Sequence, residues 1–275
     1  MTRFSRYVAA IAVALVLAAA TSTASAADRF EAIDRTALRV CADPASPPLS
    51  TEDGKGFENV IAELLARDLG VPVRYTWFPS TMGFFRRTLN ARNCDIVLGV
   101  ATGIELAQST IPYYRSTYVL VTRKEDGIAA TRLDDPALRS LRLGVQARTP
   151  AADVLARAGM LGNIRSYDLM VDSRHTSVGQ QLVNDLAEKR IDAAVLWGPI
   201  AAHLADTRQG AFMLTPLSSA ADDVPLAFDI SMAVRFGEPA WRARVERFIR
   251  DRRQQIHDIL VAYRVPLLPL PGGDR

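Results

Sequence analysis

The sequence predicts an α/β protein of two lobes, and three observations carry that expectation. A β-α-β-α-β succession of short apolar runs and helical patterns starts near residue 38, and a second with the same grammar starts near residue 141. The final run of the first succession is apolar almost throughout, as in a strand buried on both faces of a parallel sheet. Two further strand-like segments stand outside the successions, one between them (116–124) and one after the second (227–236).

Before the first lobe, Arg3 and Arg6 precede an apolar run from Val8 to Ala20 that ends in Ala24-Ser25-Ala26. This is the pattern of a secretory signal peptide over residues 1–26. The run is too short to span a bilayer of ~30 Å at ~1.5 Å per residue, and no later segment is long and apolar enough to try. The mature chain is therefore expected in the periplasm and not as an integral membrane protein.

The first strand is LRVCAD (38–43), closed by Pro44, Pro47 and Pro48. Phe57, Val60, Ile61, Leu64, Leu65 and Leu69 then recur at helical spacing until Gly70 stops them. VPVRYTW (71–77) reads as a strand, the stretch around Phe84, Phe85 and Leu89 as helical, and CDIVLGV (94–100) as the buried strand. The second lobe repeats the order with LRLGVQ, PAADVLARAG, a strand near 164–167, SVGQQLVNDLAEKR and IDAAVLW. In AFDISMAVRF (227–236) apolar residues fall on every even position, which marks a half-buried strand. Pro239 then opens one long helix whose stripe is Trp241, Val245, Phe248, Ile249, Ile256, Ile259, Leu260 and Tyr263, with arginines on the opposite face. A Pro-rich tail, VPLLPLPGG, follows.

Lys and Arg number 33 against 30 Asp and Glu. Residues 1–26 hold two of the arginines and no carboxylate, so the balance falls to 31 against 30 and argues against a nucleic-acid partner. Two cysteines, Cys41 and Cys94, read first as a disulfide in an oxidising compartment, with an unpaired buried thiol as the alternative. Enzyme signatures are missing: there is no nucleophile elbow, phosphate-binding G-x-x-x-x-G-K loop or dinucleotide fingerprint. His175, His203 and His257 stand alone, and Asp134-Asp135 and Asp222-Asp223 read as loop pairs, so neither a metal nor a cofactor is expected. Asp172 and His175 are spaced for an acid–base pair, but a polar cleft rim is the simpler reading.

Ligands of open α/β sheets bind outside the carboxyl ends of the strands. That rule places cleft candidates at Asp43, Ser46, Trp77, Met82, Thr102 and Glu105 in the first lobe. In the second lobe they are Gln146, Arg148, Thr149, Asp172, His175 and Trp197. The two tryptophans are favoured because a buried indole N–H wants a partner and a wide cleft offers one.

In order and spacing, LRVCADPASPPL, GKGFENVIAELLARDLG, NCDIVLGVATG, PYYRSTYVLV, LRLGVQARTP and IDAAVLWGP resemble the bacterial solute-binding proteins that serve polar amino-acid uptake. The resemblance implies a periplasmic-binding-protein-like (type II) fold whose two mixed sheets are joined by crossing hinge strands near 116–124 and 227–236. The first lobe would then be discontinuous, 37–122 plus 227–275, and the second would run over 127–222. It also implies a first-lobe arginine for a ligand carboxylate and a second-lobe aspartate for an ammonium. Here those positions read Leu106 and Trp197, so an amino acid would lose two charge-assisted contacts of ~1.5–3 kcal/mol each.

A narrower likeness accounts for this. LRVCADP, GFEN, Asn93-Cys94-Asp95, PYYRSTYV and Trp197-Gly198-Pro199 resemble the subgroup associated with pyrroloquinoline-quinone dehydrogenases, the J proteins (MxaJ and XoxJ type) of methanol oxidation. Leu106 departs from that subgroup too. The implication is a non-catalytic accessory that matures or activates a quinoprotein alcohol or methanol dehydrogenase, including lanthanide-dependent forms, with a c-type cytochrome as a further partner. The alternative is a transporter's substrate-binding protein for a small uncharged or carboxylate solute.

Overall fold

In the computed structural model, which describes residues 31, 33–168, 171–208, 210–219 and 224–271, the first apolar run becomes β1 (Leu38–Ala42) at the centre of a parallel set. It pairs on one side with β4 (Val73–Trp77) and on the other with β5 (Ile96–Ala101). The expected signal peptide and Asp222-Asp223 lie outside the described residues. A short hairpin, β2 (Ala45–Ser46) and β3 (Ser50–Thr51), follows β1 through the proline-rich turn.

Helix α1 (Phe57–Leu69) buries the expected stripe of Phe57, Ile61, Leu64 and Leu65, and Gly70 closes it in the left-handed conformation. Asn59 secures its start by accepting from the Gly56 amide (3.1 Å) and the Thr51 amide (3.0 Å). The helical stretch expected around Phe84 to Leu89 is a single turn, α2 (Phe84–Arg87). It ends where the Thr88 hydroxyl donates back to the Phe84 carbonyl at 2.6 Å, competing with the backbone ladder.

The long strand β6 (Gln108–Arg123) crosses between the lobes. Its first half pairs with β11 (Ala227–Val234), which in turn borders β5. Its second half pairs with β9 (Ala193–Trp197) and β10 (Phe212–Pro216). β9 then pairs with β7 (Leu143–Gln146), and β7 with β8 (Ile164–Tyr167). One strand path, β4-β1-β5-β11-β6-β9-β7-β8, thus runs through both lobes. The chain returns between Leu217 and Leu226, which bond the Tyr118 carbonyl and amide, so it crosses before residue 227 and β11 lies wholly in the first lobe. Periodicity identified β11 as a half-buried strand but carries no information on which neighbour it takes.

Helices α3 (Pro150–Arg157), α4 (Val178–Ala187) and α5 (Gly198–Asp206) complete the second lobe. The expected single C-terminal helix is two, α6 (Pro239–Asp251) and α7 (Arg253–Ala262). They break at Arg252, whose guanidinium donates to Asp68 of α1 at 2.8 and 3.0 Å, and Val245, Phe248, Ile249, Ile256 and Leu260 share one core with α1. Asp95, 2 % exposed, ties these parts together. It receives Arg39 on both oxygens (2.6 and 2.8 Å) and Arg235 at 2.8 Å, while its carbonyl takes the Trp241 indole N–H at 2.9 Å. Cys41 and Cys94 form a disulfide inside the first lobe. Among the described residues no helix is long and apolar enough to cross a membrane.

Candidate functional site

The carboxyl ends of β1 and β5 open into a cavity of about 740 Å³. Its walls are mostly carbon: Ala42, Leu49, Phe84, Phe85, Val97, Leu98 and Val100, with Met82 and Leu106 at the mouth. Ser46, Ser50, Ser80, Thr81 and Arg86 add polar atoms, and two carboxyl groups, Asp43 and Glu58, complete the lining. Every described lining residue belongs to the first lobe.

The two acids sit in opposite circumstances. Asp43, at the end of β1, is 5 % exposed and accepts three hydrogen bonds. Its Oδ1 accepts from the Ala45 amide (2.9 Å) and the Ser173 hydroxyl (2.6 Å), and its Oδ2 accepts from the Ser80 amide (2.6 Å). Ser173 lies in a second-lobe loop, so this hydrogen bond spans the two lobes. Glu58, in the first turn of α1, has no hydrogen-bond partner for its carboxyl among the described residues. Burial, and then the neighbouring Asp43 charge, push its pKa up to about 8, so it is neutral at pH 7.

The chain makes room for the Glu58 carboxyl at Gly99. Between Ser231/Val100 and Ala233/Val97 the register of β11 advances two residues while β5 advances three, which is a bulge on β5. Gly99 occupies it with φ +70°, and a Cβ there would fall on Glu58 Oε1. The Gly99 amide donates to the Tyr113 hydroxyl at 3.1 Å, which fixes the bulge from β6.

Of the sequence candidates, the cavity brings together Asp43, Ser46 and Met82, the last 73 % exposed. The other first-lobe candidates point elsewhere. Trp77 stacks on Tyr75 (4.4 Å between centroids) against the core of α1 and α6. Thr102 bonds the Ser231 hydroxyl at 2.6 Å and the Asp229 carbonyl at 3.0 Å, and Glu105 is exposed.

In the second lobe, Gln146 is half-buried, Arg148 is exposed in the left-handed region (φ 58°), and Thr149 caps α3. Asp172 pairs with Arg174 at 2.6 Å rather than with His175, which is exposed; that arginine holds the Asp172 pKa down to about 2. Trp197 packs edge-on against Tyr118 (5.5 Å) and Phe228 (6.1 Å), sealing the seam between the lobes. Arg115 is committed to Asp229 at 2.7 Å.

Sequence reasoning missed Glu58, although a signal existed. It stands three, four and seven residues before Ile61, Ala62 and Leu65, in phase with the buried stripe.

Two α/β lobes strung on one crossing strand, with a cavity at the strands' carboxyl ends, define a solute-binding protein of the two-lobed periplasmic type. Comparison with known proteins agrees: residues 38–261 match the bacterial extracellular solute-binding proteins, family 3, and the chain belongs to that family. Within it the chain is of the MxaJ/XoxJ type. It is 39 % identical to the periplasmic binding protein XoxJ from Methylobacterium extorquens AM1, whose crystal structure it matches with a TM-score of 0.71 over 85 % of this chain and 100 % of that one. Protein MoxJ of Methylorubrum extorquens is 28 % identical over 251 residues, 86 % of this chain and 83 % of MoxJ. The crystal structure of MxaJ from Methlophaga aminisulfidivorans shares the fold, with a TM-score of 0.73 at 21 % identity over 84 % of this chain and 100 % of that one.

Proposed function

We propose that this protein is a non-catalytic periplasmic accessory of a quinoprotein methanol or alcohol dehydrogenase system, acting by protein–protein contact on the dehydrogenase's maturation or activation. The observation that carries the reading is Leu106. Where amino-acid receptors of the family are expected to hold a carboxylate with an arginine, this apolar side chain stands 59 % exposed in the lining of the cavity, which also carries the exposed Met82. Large exposed apolar groups grouped at a rim favour contact with another protein. Trp197, where the ammonium-binding aspartate is expected, is packed against Tyr118 and Phe228. The named relatives XoxJ, MxaJ and MoxJ support the same assignment.

The test is a pull-down from periplasmic extract with the mature chain. The reading expects a quinoprotein dehydrogenase, with or without a c-type cytochrome; failure to retain the host's own dehydrogenase would sink it. The open cavity favours a second reading, a transporter's receptor for a small uncharged or carboxylate solute. A tryptophan fluorescence change with a metabolite that also closes the lobes would support it.

A further inference from the structure

We infer that the first-lobe cavity is a binding site for an uncharged, mainly apolar small molecule bearing a hydrogen-bond acceptor, and that Glu58 is its specificity-determining residue, donating from a protonated carboxyl. The inference stands on the cavity's geometry and holds whether or not the dehydrogenase proves to be the partner.

Three features carry it. The carboxyl of Glu58 faces a cavity of about 740 Å³ and has no hydrogen-bond partner among the described residues, so its donor is unspent. The bulge of β5 lies against it, with Gly99 at a positive φ in mid-strand where a Cβ would fall on Glu58 Oε1. A carboxyl that lines a cavity without a hydrogen-bond partner from the described residues is placed to pair with a ligand there. The surrounding walls, Leu49, Phe84, Phe85, Val97 and Leu98, supply apolar contact for the rest of the ligand.

The charges nearby decide the ligand's own charge. Asp43 is the one carboxylate beside Glu58 among the described lining residues, and both its oxygens are taken by Ala45, Ser80 and Ser173. Tyr75 on β4 and Tyr113 and Tyr114 on β6 are the other titratable groups around Glu58, and burial pushes all three hydroxyls up, so they stay neutral. Arg86 stands exposed at the rim. An anion would be repelled by Asp43 in a low-dielectric cavity, while an ammonium would find three of Asp43's acceptor positions already taken and a neutral acid facing it. A carbonyl or ether oxygen meets a donor. The burial-driven rise in the Glu58 pKa to about 8 agrees with this assignment.

The test titrates the mature chain with three matched probes, 4-butylacetophenone, 4-butylbenzoate and 4-butylbenzylammonium, by calorimetry at pH 6 and pH 9. The ketone should bind best at pH 6 and weaken roughly tenfold or more at pH 9, where Glu58 loses its donor proton. Glu58→Gln, which keeps an N–H donor, should bind the ketone with no such pH dependence. Difference infrared spectra of the wild-type chain should show the protonated carboxyl stretch of Glu58 shifting as the ketone binds, a readout independent of any variant's folding. Preference for the ammonium or the benzoate, ketone affinity equal at the two pH values, no binding by any probe, or an unmoved carboxyl stretch would each overturn the inference.

Discussion

Replacing Glu58 by glutamine should remove a pH dependence of stability that this one side chain imposes. In the folded protein its pKa is pushed from 4.5 up to about 8, by burial first and by the Asp43 charge second. The unfolded chain releases this proton near pH 4.5, whereas the folded protein keeps it until about pH 8. Between those values the folded state holds one proton more than the unfolded state. Stability therefore falls as pH rises, by about 1.4 kcal/mol per pH unit. From pH 5 to pH 8 the loss is about 4 kcal/mol at most. The glutamine of the Glu58→Gln variant has no proton to release. Urea unfolding of both proteins at pH 5, 6, 7 and 8, followed by tryptophan fluorescence, should show the variant gaining steadily on the wild type as pH rises, with m unchanged. Parallel profiles, or a gap that widens toward acid, would refute a buried neutral Glu58.

Three further outcomes follow from the same structure. Reducing the Cys41–Cys94 disulfide opens a loop set by a separation of 53 residues and should cost about 4 kcal/mol by chain entropy; equal denaturation midpoints with and without reductant would contradict this. Asp95→Ala removes the carboxylate shared by Arg39 and the buried Arg235, so a loss of about 3–5 kcal/mol is expected in urea unfolding, and a loss below about 1 kcal/mol would show that the cluster does not anchor α6. Gly99→Ala forces a Cβ onto Glu58 at a positive φ and should cost about 1–3 kcal/mol; it should also shrink the pH slope described above, and an unchanged slope would mean that the carboxyl does not rest on Gly99.

The fold was legible wherever a periodic pattern and a punctuating residue coincided. Phe57, Ile61, Leu64 and Leu65 with Gly70 defined α1, and the even-numbered apolar residues 228–234 defined β11. Cys41 and Cys94 stand on or beside adjacent strands, so the parity argument for the disulfide met the geometry it needed. What the sequence did not show were features set by pairing rather than by pattern. β6 runs on through Pro112 because a register shift against β11 falls there, between Tyr114↔Ile230 and Pro112↔Ser231. At the break, Arg252 bonds Asp68 of α1, distant in sequence. In the site, strand-end loops point to Asp43, Ser46 and Met82, which line the cavity. The strand-end rule passed over Glu58 because that residue stands on a helix rather than in a strand-end loop, and because only the bulge at Gly99 reveals which side of β5 the carboxyl meets.

The cavity's confinement to one lobe bears on how the lobes move. A ligand shifts an open–closed equilibrium only by the difference between its affinities for the two states. A molecule touching the described lining residues alone would meet the same walls in both, since all of them belong to the first lobe. The contact that does report closure is intramolecular: the Ser173 hydroxyl on Asp43, beside Arg174, which is itself held by Asp172. In a transport receptor the solute bridges the lobes and its affinity drives closure. Here the second lobe's own Ser173 hydroxyl bridges to Asp43, and Trp197 packs edge-on with Tyr118 and Phe228. In this structure the chain's own Ser173–Asp43 hydrogen bond and the packing of Trp197 join the lobes, and an agent that biases their separation has to engage both lobes. A protein partner meets that requirement where a small solute confined to the cavity does not, which is why the accessory reading and a cavity ligand are compatible.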